Sequence, residues 1–189
     1  MNKTRIILLT TIVTLVFFWS ACNKQEKAVA PPVPGNEFIT TLKLVATNAA
    51  DSTDTVSGAW TKLNPNDTSA PDTSLAHMTL RANAVYNVKV MFLDETKNPP
   101  VDITPEILQR ENYHLVCFTI APGLNLSVQR TDHDTNNPPL EIGLTDKFTT
   151  GNASSGNLEV VLHHQPNVKN GTCDPGSIDI DVTFTINIK

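Results

Sequence analysis

The chain has 189 residues, 40% hydrophobic, 6% aromatic and 17% charged, which fits one globular domain with short extra segments and excludes disorder throughout. Lysine and arginine number 14 against 19 aspartates and glutamates, and loss of a leader carrying Lys3 and Arg5 leaves 12 against 19. This acidic balance argues against a phosphate-backbone binder, so no nucleic-acid partner is expected.

Residues 1–21 read as a secretory signal: a cationic start, a 14-residue apolar run from Ile6 to Trp19, then small residues before Cys22. A spanning helix needs roughly 17 to 25 residues, so the run suits a cleaved signal better than a permanent anchor. Ser20, Ala21 and Cys22 resemble the lipobox of bacterial lipoproteins, with Trp19 where that pattern prefers an aliphatic residue. The resemblance implies cleavage before Cys22 and acylation of the new terminus. Acyl chains contribute about 0.8 kcal/mol per buried CH₂, so two or three of them hold firmly. Residues 22–36 are the lipidated cysteine and a linker, in which Pro31, Pro32 and Pro34 favour an extended, semi-rigid spacer.

Residues 37–189 are long enough for a single domain with its own core. Period-two alternation marks strands at Phe38, Leu42, Leu44 and Ala46, and again at Tyr86, Val88, Val90 and Phe92. Shorter examples run Leu124, Leu126, Val128 and Leu158, Val160, Leu162. The clearest run is the last, where Ile178, Ile180, Val182, Phe184, Ile186 and Ile188 alternate with Asp179, Asp181, Thr183, Thr185 and Asn187. Turn-forming clusters fall at 64–72, 98–100, 132–139, 151–157 and 167–176. One helix is expected over 105–112, with Thr104 as N-cap, Pro105 at the first helical position and Glu106 at the positive dipole end. Short one-sided strands without repeated helical crossovers predict an all-β, immunoglobulin-like antiparallel β-sandwich with one short helix; a closed β-barrel is the alternative.

Several short signatures prompt a family comparison: Glu37-Phe38-Ile39-Thr40-Thr41, Thr104-Pro105-Glu106-Ile107, Asn112-Tyr113-His114 and Thr131-Asp132-His133-Asp134. They continue with Ile142-Gly143-Leu144, Leu162-His163-His164-Gln165-Pro166 and Asp179-Ile180-Asp181-Val182-Thr183-Phe184. In this order the chain resembles a family of small, uncharacterised Bacteroidetes lipoproteins. The resemblance implies an envelope lipoprotein with a β-rich domain; it does not imply an enzyme. The chain departs from that pattern at Asn64-Pro65-Asn66-Asp67, after Trp60, and at Asn137.

Three groups of residues carry candidate chemistry. His114, His163 and His164 offer imidazoles to a transition metal, which wants nitrogen ligands about 2.0 to 2.1 Å away. By parity His164 joins the apolar face of Leu158, Val160 and Leu162, and His163 the opposite one, so both reach one ion only across a bend such as Pro166 introduces; core histidines are the alternative. Asp132, Asp134 and Asn136 have the alternate spacing of a Ca²⁺ loop, but Gly143 stands where that loop needs a bidentate carboxylate, and an Asx-rich turn is the alternative. Cys117 and Cys173 either form a disulfide in an oxidising envelope or remain a buried and an exposed thiol. Asp179, Asp181 and Thr183 read as a solvated strip, and Glu106 and Glu111 as solvated charges. No nucleophile elbow, metalloprotease motif or phosphate loop is present, so no catalytic residue is expected and no cofactor beyond a transition metal or Ca²⁺.

Together these features lead to a non-enzymatic, lipid-anchored envelope protein, at the outer membrane, that binds a protein, glycan or metal ion through its loops. A histidine-dependent metal carrier or redox enzyme and a structural envelope scaffold are the rival readings.

Overall fold

The computed structural model describes residues 38–189; the signal-like segment, Cys22 and the proline-bearing stretch lie outside the described residues. Ten strands form two sheets. In chain order they are β1 (Thr41–Asn48), β2 (Thr55–Thr61), β3 (His77–Leu80), β4 (Val85–Asp94), β5 (Val101–Asp102), β6 (His114–Ile120), β7 (Leu126–Arg130), β8 (Thr145–Thr150), β9 (Ser154–His164) and β10 (Ser177–Ile188). The first sheet has the order β2-β1-β4-β8-β7, with β5 appended to β4, and the second β3-β10-β9-β6. The protein is therefore an all-β sandwich with no closed barrel. All pairings are antiparallel except β3 with β10.

The core is the sum of the inward-facing alternate positions. Leu42 and Leu44 of β1, Tyr86 and Phe92 of β4, Phe148 of β8, Leu158 and Leu162 of β9 and Phe184 of β10 are completely buried. Each such side chain contributes roughly 1.5 to 3 kcal/mol relative to exposure. The strands sort the connections into two poles. Phe38 leads into the proximal pole, which also holds the connections 62–76, 95–113, 131–144 and 165–176; the distal pole holds the short turns 49–54, 81–84, 121–125 and 151–153.

Five local expectations are corrected. The first strand starts at Thr41, leaving Phe38 exposed. The helix α1 covers Thr104–Gln109 and gives way to a 3-10 turn at Glu111–Tyr113. Thr104 does not cap it: its hydroxyl accepts the Phe92 N–H at 3.0 Å, tying the helix to β4. The turn expected over 151–157 ends at Ala153, because β9 continues back to Ser154 to pair with the far end of β10. The fifth is a β-bulge between Ile178 and Ile180. The extra residue reverses the local facing, so Ile178 is 57% exposed while the Asp179 side chain is only 3% exposed.

At the distal pole, the buried Tyr86 hydroxyl accepts the Arg81 N–H at 3.0 Å and donates to Asp54 at 3.2 Å, while the Arg81 guanidinium pairs with Asp54 at 2.9 Å. Tyr86→Phe keeps the ring but orphans the Arg81 amide. A loss of about 1 to 2 kcal/mol in urea denaturation is expected; an unchanged midpoint shows that the hydroxyl carries none of this corner.

Candidate functional site

Among the described residues, the histidine, Asp132–Asp134–Asn136 and Cys117–Cys173 candidates fall at the proximal pole or on the β6 and β9 strands that lead into it. His114 opens β6, and His163 and His164 close β9 opposite it, with His114 paired to His164 in the ladder. The rings of His114 and His164 stack at 5.1 Å between centroids and 21° between planes. His114 is fully buried; its Nδ1 lies 3.2 Å from the Arg110 carbonyl, which fixes Nδ1 as the donor, and its Nε2 lies 3.7 Å from the Asp179 carboxylate. The bulge in β10 is what turns Asp179 inward, so the residue read as part of a wet strip with Asp181 instead meets a buried histidine. His163 stands on the opposite side of β9, as adjacent strand residues must, and does not join the other two. Among the described residues no three His, Cys, Asp or Glu side chains are grouped to hold a metal ion.

The residues Asp132, Asp134 and Asn136 are likewise used internally. Both oxygens of Asp132 are taken by the backbone: Oδ1 accepts from Gly143 at 2.7 Å, and Oδ2 from Leu144 at 2.9 Å and Thr145 at 3.1 Å. Gly143 has φ +87°, and a Cβ there would stand 3.0 Å from both the Cβ and the carbonyl oxygen of Val116, so this cradle requires glycine. Asp134 accepts from the amides of Asn136 and Leu140 at 3.0 and 2.8 Å, from the Asn136 side chain at 2.8 Å and from Lys169 at 2.7 Å. Lys169 also donates to the Glu111 carbonyl at 2.9 Å. The side chains of Lys169 and Asp134 are 2% and 0% exposed, which makes this a buried ion pair joining the 165–176 and 131–144 loops to the 3-10 turn. Burial pushes the Asp134 carboxyl up, but Lys169 and the Leu140 and Asn136 amides outweigh it and hold the group below its ordinary range.

Two further ties close the pole. Cys117 and Cys173 form a disulfide with Cα atoms 6.1 Å apart, fastening the 165–176 loop over Leu115, Cys117 and Val161, a small apolar cluster on the outer face of β6 and β9. Arg130, at the end of β7, donates from Nε to the Val116 carbonyl at 2.7 Å and from Nη1 to Glu141 at 3.0 Å, bridging the edges of the two sheets. Directly opposite Arg130 in the ladder is Asp146, 2% exposed, whose carboxylate oxygens make no hydrogen bond. Burial, then the charge of Asp132, push its pKa up to about 8; Arg130 opposes the shift and Glu141 adds to it.

Sequence reasoning missed Lys169, Arg130 and Asp146. Lys169 sits in an irregular loop with no pattern around it, and Asp146 alternates with Phe148 in a strand too polar to stand out. A comparison of the chain with protein-family models, curated proteins and solved structures finds no match.

Removing one partner of a buried pair strands the other charge, so Lys169→Met is expected to cost about 3 to 5 kcal/mol, and Asp134→Asn added to it restores part of the loss. A denaturant double-mutant cycle measures both, and additivity of the two changes contradicts the coupling. Asp146 works in the other direction. Its folded-state pKa is raised, so the folded chain binds an extra proton between the ordinary value of 3.8 and about 8, and stability falls as pH rises through that window. Between pH 5 and 7 the slope approaches about 1.4 kcal/mol per unit. Asp146→Asn is expected to flatten that slope, and a wild-type stability that rises over the same range overturns the assignment.

Proposed function

We propose that the protein is a non-enzymatic, lipid-anchored binding module of the bacterial outer membrane that engages an envelope partner through its proximal pole. The observation that carries this reading is how the loops of that pole are held. A disulfide, a buried lysine–aspartate pair and a three-amide carboxylate cradle fix connections that have almost no strand pairing of their own. Loops fixed before contact lose little conformational entropy on binding, which is the economy of a recognition surface. Asp132, Asp134 and Lys169 are engaged with backbone amides and with one another, which favours a fixed recognition surface there. The 132–139 turn cluster and the His163–His164 strand end both lie on this one pole.

The anchor is supported by the lipobox-like Ser20-Ala21-Cys22, by the short apolar run before it and by the resemblance to Bacteroidetes lipoproteins. Among the described residues no helix is long and apolar enough to cross a membrane. The test has two arms in cells. Cys22→Ser is expected to abolish palmitate labelling and leave the unprocessed, larger product; retained label and size refute the anchor. A photocrosslinker at exposed His133 is expected to give envelope adducts that Lys169→Met removes, while one at Thr79 gives none. Equal adducts from both positions refute the loop platform.

A further inference from the structure

The outer face of the first sheet differs in charge from the rest of the molecule. Residues 38–189 carry 10 lysines and arginines against 17 acids, yet across the outward positions of β2-β1-β4-β8-β7 the charged residues are Lys43, Lys89 and Lys147 alone. The acids of the first sheet's other strands, Asp94 and Asp146, are buried, and Asp102 on β5 stands at the proximal end and accepts the Thr104 N–H. The opposite face of the sandwich carries Glu159 and Asp181, where burial and Glu159 push the Asp181 carboxyl up.

Register places the three lysines on one line. Lys43 of β1 faces Met91 of β4, Lys89 lies two residues along β4, and Lys147 of β8 faces Asn87, two residues further again. Diagonal neighbours of this kind are about 7 to 8 Å apart. One more step along the same diagonal reaches Ser127 of β7, through the pairs Val85 with Thr149 and Thr149 with Ser127. Ser127 and Thr149 line a surface groove of about 570 Å³ at the distal pole, shared with Asn83, Asn125 and Asn152, and no charged side chain lines it. Among the described residues the three lysines form no ion pair, and the side chains of Asn83, Ser127, Thr149 and Asn152 form no hydrogen bond.

We propose that this face binds an anionic polysaccharide, its acid groups on the Lys43–Lys89–Lys147 diagonal and a sugar ring in the groove that continues the line. Three ammonium groups spaced along one sheet face match a linear polyanion, and lysine suits it as a point charge indifferent to the geometry of the acid. The amides and hydroxyls of the groove offer both donors and acceptors, as vicinal sugar hydroxyls require. A protein partner fits less well, because stable protein interfaces have an apolar centre. Of the large exposed apolar side chains only Val101, on β5, lies in this sheet, and the outward Val45, Val85, Met91 and Leu93 are half-buried between the lysines. The face is separate from the proximal loops, so its test stands apart from the loop platform.

The experiment measures binding of the detergent-solubilised full chain to polygalacturonate by affinity electrophoresis and calorimetry. Dextran, inorganic phosphate and phosphatidylglycerol vesicles serve as comparison probes. Binding to polygalacturonate is expected, weakening as salt rises and the screening length falls below about 8 Å. The triple variant Lys43→Gln, Lys89→Gln, Lys147→Gln is expected to bind about tenfold more weakly with a melting temperature changed little, since Lys89 and Lys147 are exposed, Lys43 is half-buried and glutamine keeps most of its aliphatic stem. Ser127→Phe, which fills the groove without changing charge, is expected to weaken polygalacturonate but not inorganic phosphate. The proposal is overturned by undiminished binding of the triple variant, by dextran binding as tightly as polygalacturonate, or by no polygalacturonate binding at all. It is equally overturned by capture on phosphatidylglycerol vesicles alone, which makes the face a lipid surface, or by a dimer that the triple variant dissolves, which makes it a self-association face.

Discussion

A carboxylate taken out of water must meet donors or keep a proton, and the proximal pole of this protein is arranged around that requirement. Asp132 is met by three backbone amides and Asp134 by two amides, an asparagine and Lys169; Asp179 lies 3.7 Å from the buried His114 ring. Asp146 has none of these and is held largely protonated at neutral pH by burial. Asp132 and Asp134 organise loops that have almost no strand pairing of their own. Asp146 costs stability as pH rises and lies beside the arginine that bridges the sheet edges.

These choices are coupled through short paths. The bulge that turns Asp179 inward also exposes Ile178 at the start of β10, beside the segment that Lys169 and Cys173 fasten down. The same pole therefore collects exposed apolar side chains, rigid loops and buried charge, whereas the distal pole is made of short turns around the Asp54–Arg81–Tyr86 corner. With the acids in the loops of both poles, on the second sheet or buried, the outer face of the first sheet is left cationic. Segregated charge of this kind produces a directional field that net charge conceals.

Much of the sandwich was legible because period-two alternation survives wherever one face is buried. The strands around Leu42, Val88, Val160 and Val182 are of this kind. Strands β2, β3 and β8, and the two-residue β5, stayed hidden, the first three each for its own reason. In β2 the inward position between Val56 and Trp60 is Gly58, which has no side chain to show the period; in β8 two of the three inward residues are Asp146 and Thr150; β3 is four residues long. The bulge at Asp179 was invisible for the opposite reason, since Ile178-Asp179-Ile180 continues the alternation without a break. Parity correctly separated His163 from His164, because adjacent strand residues face apart whatever the surroundings.

Local chemistry alone therefore determined the strand-forming alternation, the short helix near Pro105 and the lipobox-like Cys22. These are set by neighbouring residues and their periodicity. Tertiary structure decided which charges are buried, which cysteines meet and where the lysines align, because each depends on residues far apart in the chain. Lys169 reaches Asp134 across 35 positions and Cys173 reaches Cys117 across 56. The energy of a charged side chain is set by the donors and solvent around it, and those are supplied only when the sheets have packed.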